Sequence, residues 1–153
     1  MESWQKVLIL LYGLINLIVF IKGFFMCRDK KAAYTLTPKL TLLGIFAWGD
    51  AVVFGLFWFF VSLASLILND SLLFLFIISV FWVVRSFGET IYWFNQQFAQ
   101  KVYSWNEPQN LKFHWLFHND SIWYGFQIFW QCISVISIIA SVYLGNLWLR
   151  RIS

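Results

Sequence analysis

Residues 4–26 read WQKVLILLYGLINLIVFIKGFFM, a stretch whose two charges, Lys6 and Lys22, sit towards its ends. About 20 apolar residues in a helix cross the roughly 30 Å hydrocarbon core of a bilayer. Three more such segments follow, over 40–68, 71–100 and 122–149. Backbone polar groups in lipid have to be satisfied within the spanning element, which leaves helices or closed barrels. The two-residue alternation of barrel strands is absent. The expected fold is therefore an all-α integral membrane protein, a four-transmembrane-helix bundle forming one membrane domain over residues 1–153.

Composition agrees. The chain is 61% hydrophobic and only 12% charged, about half the charged fraction that a soluble domain uses. Its mean hydropathy is +0.71. Aromatic residues make up 22%, including 10 Trp and 6 Tyr, the types that collect at membrane interfaces. The first apolar stretch is too long for a cleavable leader, and its cationic cluster follows it, so it is read as a span. Cys27 and Cys132 have no ligand spacing and are expected to be plain thiols.

The connections differ in kind. "CRDKKAAYTLTPK" (27–39) joins spans one and two, with Pro38 suited to a helix start. Asn69 and Asp70 alone join spans two and three, which predicts a tight antiparallel hairpin. The third connection, 101–121, is long and aromatic; it reads equally as a short helix opened by Pro108 and lying in the interface plane, or as an aromatic loop packed on the helix ends. Asn119, Asp120 and Ser121 offer capping oxygens for span four.

Lys and Arg in short loops set orientation. Loops one and three hold Arg28, Lys30, Lys31, Lys39, Lys101 and Lys112, against Lys6, Arg150 and Arg151 on the other side. Both termini are thus expected outside, with loops one and three cytoplasmic. The net charge of +4 fits anchoring to anionic headgroups. No reader motif for nucleic acid is present.

Three charges fall well inside the hairpin. Asp50 and Glu89 stand level, each 19 positions from the turn residue nearest it. Arg85 is one turn from Glu89 and about 6 Å along the axis from Asp50. Each charge at the centre of a span costs about 2.5–3.5 kcal/mol. Such groups persist when they face the bundle interior, pair, or line a wet cavity. A trio of Asp50, Arg85 and Glu89 would carry a net negative charge, which suits a shared proton or a cation. Arg85, Glu89, Tyr92 and Gln96 recur on one helical stripe, and Gln127, Gln131 and Ser134 do the same on span four. Asn16 and Tyr12 extend this polar face to span one. Gly44, Gly49 and Gly55 around Asp50 allow close backbone approach or leave room for a ligand. The plainer reading makes Arg85–Glu89 a local pair and Asp50 a pin between spans.

His114 and His118, with Asp120 nearby, are the weak candidates for a metal, but the spacing lacks the glutamate of a zinc-protease motif. They read better as interfacial or capping residues. Lys22 is read as snorkelling to the headgroups.

Three functions fit. The first is a transporter or channel-type protein binding a cation, proton or polar solute at Asp50, Arg85 and Glu89, with Tyr92, Gln96, Gln127 and Gln131 lining the way. Four helices rarely enclose a pathway, so a homo-oligomer or a partner membrane protein is expected. The second is an accessory or structural membrane protein held together by its polar cluster. The third is an intramembrane enzyme on a lipid-like substrate, with Glu89 or Asp50 as acid/base and Tyr92 assisting. No motif identifies a cofactor.

Overall fold

A computed structural model describes residues 1–28, 30–98, 107–111, 113–117 and 121–153. Among these residues are five α-helices: α1 (Ser3–Met26), the single turn α2 (Lys30–Ala33), α3 (Trp48–Ile67), α4 (Ser71–Phe98) and α5 (Ser121–Ile152). The four long helices, α1, α3, α4 and α5, are long and apolar enough to cross a membrane. Among the described residues β pairing is limited to one isolated bridge, Leu36 to Ala47. This architecture is compatible with a small multi-pass membrane protein.

One boundary differs from the sequence reading. The second span was expected from residue 40, yet α3 begins at Trp48. Residues 41–43 make a 3-10 turn that Gly44 ends in the left-handed region, at φ 73°. The Thr37 N–H donates to the Phe46 carbonyl at 2.8 Å, and the Thr37 hydroxyl donates to the Ile45 carbonyl at 3.0 Å. Ile45 is fully buried. Within "LTLLGIFA", Leu40 and Leu43 pack against the cluster of Val19, Ile45 and Ala51, while Leu42 is exposed. Hydropathy does not separate such packing from lipid exposure.

The connection between α3 and α4 is as short as the sequence reading has it, and several of its hydrogen bonds are local. Asn69 adopts a left-handed conformation, φ 52°, and its N–H donates to Leu66 O at 3.1 Å. The Asp70 N–H donates to Ser65 O at 3.0 Å. This is a Schellman ending, with Asn in the place glycine usually takes. Asp70 then turns to the next helix: its Oδ1 accepts from the Leu72 and Leu73 N–H groups at 3.0 and 3.1 Å. The last turn of α3 and the first turn of α4 are thus capped by adjacent residues.

The chain forms two compact units, Met1–Ile77 and Ile78–Ser153, the division falling within α4. In the first, α1 and α3 run antiparallel along facing buried stripes in which small residues recur. The α1 stripe is Ile9, Gly13, Asn16, Val19 and Gly23; the α3 stripe includes Ala51, Gly55, Trp58, Ser62 and Ser65. Both follow the near-seven-residue period of helices packed in a left-handed crossing. A side-chain carbon added at Gly55 would lie 2.9 Å from Asn16 O and from Phe20 N. One at Gly13 would lie 2.8 Å from Ser62 Cβ, and one at Gly23 2.8 Å from Ala51 Cβ. Tyr12 caps the seam with edge-on contacts to Trp58 and to Phe74 at the start of α4, at 5.6 and 5.5 Å.

In the second unit, α4 and α5 meet through larger groups. Trp93 stacks on Phe126 with centroids 4.7 Å apart, and Trp82 faces Trp130 at 6.5 Å. Trp93, Ile122 and Trp123 form the buried cluster, with Leu111 packed against it. The Phe117 ring sits over Gly125, where a side-chain carbon would lie 2.8 Å from the ring edge.

Candidate functional site

The polar side chains of α4 define the site. Arg85 and Glu89 stand one turn apart, and Arg85 Nη2 lies 3.2 Å from Glu89 Oε1. Their side chains are only 18% and 17% exposed. The two charges thus meet as a neutral pair within one helix. Arginine before glutamate is the less favourable order for such a pair, so the local helix geometry alone gives little stabilisation.

Asp50 lies in the first turn of α3 and in the first unit; Arg85 and Glu89 lie in the second. The Asp50 carboxylate accepts the Phe46 N–H at 3.0 Å through Oδ2. Asp50, the third residue of the helix, reaches back past the N-cap Ala47 to the N–H of Phe46, which ties the incoming chain to the first turn of α3. It also sits at the positive end of the helix dipole. Asp50 therefore has a defined structural task in setting where α3 begins.

The remaining expected residues divide. Gln96 is buried, 7% exposed, whereas Tyr92 is exposed. Gln127 accepts a hydrogen bond through Oε1, and the donor is Gln97 Nε2 at 2.5 Å. Gln131 lies on an exposed face of α5. Ser134 is buried and donates to Ser86 Oγ at 2.9 Å. Asn16 is fully buried; its Nδ2 donates to Tyr12 O at 2.9 Å, while its Oδ1 is buried with no partner among the described residues.

Three polar residues were missed by the sequence reading: Ser86, Thr90 and Gln97. Ser86 has no exposed surface, Thr90 donates to Ser86 O at 2.8 Å, and Gln97 reaches α5. With Trp93 they occupy the same period as Arg85, Glu89, Tyr92 and Gln96, shifted by one residue. Two neighbouring polar stripes therefore run along α4. A rotation of about 100° separates them, and the signal that distinguishes them is the aromatic Trp93 in the second.

Ser62 and Ser65 add buried hydroxyls to the α1–α3 seam, next to Asn16 in the same stripe-to-stripe contact. His114 belongs to a 3-10 turn, His114–Leu116. His118 and Asp120 lie outside the described residues. Among the described residues, no group of three His, Cys, Asp or Glu side chains is placed to hold a metal ion. Cys27 and Cys132 are free thiols. No family model matches the chain, and no curated protein and no solved structure matches it either.

Proposed function

We propose that this chain is an accessory or structural membrane protein, whose polar side chains fasten helices while its aromatic and aliphatic exterior meets lipid or a partner's span. The observation that carries this reading is the local engagement of the charged groups. Arg85 is paired with Glu89 in its own helix, and Asp50 holds the Phe46 N–H at its own helix start. Polar groups used this way satisfy neighbours that lipid would leave unsatisfied. Positive-inside counting supports placing loops one and three in the cytoplasm and both termini outside. Membrane-impermeant labelling of single cysteines placed at Glu2 and at Lys39 tests that sidedness; labelling of Lys39→Cys from outside intact cells would reverse it.

Glu89→Gln tests the structural role. It leaves the Arg85 guanidinium shielded beside an uncharged partner, which should cost up to about 3 kcal/mol in detergent unfolding. The exchange Arg85→Glu with Glu89→Arg should recover most of that loss, because it restores a pair in the favoured order. Liposomes holding either variant or the wild type should pass protons and alkali cations no faster than empty ones. Flux through the wild type that vanishes in Glu89→Gln would replace this reading with transport, the function for which shielded charges in a span are a usual mark.

A further inference from the structure

The first unit contains a groove that the structural role leaves unused. It has a volume of about 360 Å3 and lies between α1, the loop 36–40 and the start of α3, within the usual size range of small-ligand sites. Its walls are Ile18, Val19, Leu36 and Leu40, and its charged groups are Lys22 and Lys39. Among the described residues no carboxylate lines it. The outer wall is fixed in advance, since Thr37, a further lining residue, is tied to Ile45 and Phe46.

Position and chemistry agree. Lys22 is four residues before the end of α1, about 6 Å along the helix axis. That depth is where a headgroup phosphate meets the hydrocarbon. The Lys22 ammonium stands 5.0 Å from the centroid of the Trp48 ring, a contact that holds a cation over an aromatic face while its remaining donors stay available. Ile18 is one turn deeper and 65% exposed, so the apolar wall continues from the groove onto the lipid-facing side of α1. A charged mouth above an apolar runway matches an amphiphile and not a freely soluble anion.

We propose that this groove is a binding site for one anionic glycerophospholipid, its phosphate held by Lys22 and Lys39 and its acyl chain laid along Ile18 and Val19. The proposal is independent of the structural role above. Headgroup contacts of two lysines near a membrane surface predict a preference of about thirtyfold for an anionic over a zwitterionic lipid.

Native mass spectrometry of the detergent-purified full chain tests it, with dioleoyl phosphatidylglycerol and dioleoyl phosphatidylcholine supplied at equal mole fraction. One phosphatidylglycerol should stay bound per chain. Lys22→Gln with Lys39→Gln should abolish the preference at unchanged helix content, while Lys6→Gln with Arg150→Gln should keep it. Should the double variant fail to fold, Lys39→Gln alone carries the test through a loss of about fivefold. Equal retention of the two lipids, an unchanged preference in the Lys22/Lys39 variants, or the same loss in the Lys6/Arg150 control would overturn the proposal. So would displacement of the lipid by an equal concentration of glycerol 3-phosphate, because the apolar wall would then contribute nothing.

Discussion

Along the α1–α3 seam, a single added carbon at Gly55 would press on backbone atoms of Asn16 and Phe20 at 2.9 Å. Along the α4–α5 seam the contacts are between side chains: Trp93 on Phe126, Gln97 to Gln127 and Ser134 to Ser86. Lipid tails are as apolar as the helices, so hydrophobicity does not draw helices together inside a membrane. The first pair relies on closeness, gaining dispersion contacts by removing side chains from the seam. The second relies on specific groups, aromatic faces and hydrogen bonds. A close seam should resist enlargement, and a side-chain seam should resist deletion.

The largest effect should come from Gly55→Ala. The new methyl group meets backbone, which yields less readily than a flexible side chain, and the cost should be about 1–3 kcal/mol in SDS-induced unfolding. Trp93→Leu should cost about 0.5–1.5 kcal/mol for the lost stacking with Phe126; no loss of stability would show that this seam does not depend on its aromatic groups. The smallest change should have the opposite sign. A carbon at Gly88 meets nothing within 4 Å, so Gly88→Ala should stabilise α4 by roughly 0.5 kcal/mol through backbone entropy alone. Equal responses of Gly55→Ala and Gly88→Ala would remove the distinction between close-packed and open glycines.

The helices themselves were legible because each long apolar segment has few alternatives to spanning, and the Asn69–Asp70 turn was legible because two residues leave no room for another path. The beginning of α3 was not, since Leu40 to Ala47 is as apolar as a span and only Gly44 hints at the break. The glycines near Asp50 were read as a group, yet they separate by role. Gly44 supplies a left-handed turn and Gly55 a close approach, whereas a side-chain carbon at Gly49 would make only an ordinary contact, 3.5 Å from Ala33 O. On α4 the sequence offered two equivalent polar stripes, Arg85 to Gln96 and Ser86 to Gln97. The choice of Gln97 as the partner of Gln127 depends on how α4 is rotated against α5, which no property of a single helix specifies. The α1–α3 stripes were invisible for a related reason: small residues mark a seam only once the partner and its register are known.

The adjoining caps at Asn69 and Asp70 also bear on how the chain enters its membrane during synthesis. With several donors and acceptors of both helix ends matched at the tip, the turn leaves fewer bare peptide groups to be carried through an apolar medium. On the reading of α3 and α4 as spans, the three-residue tip Leu68–Asp70 is all that the insertion machinery would have to carry to the far side. Lengthening that tip by a polar stretch would make the second helix wait upon the crossing of its own tether.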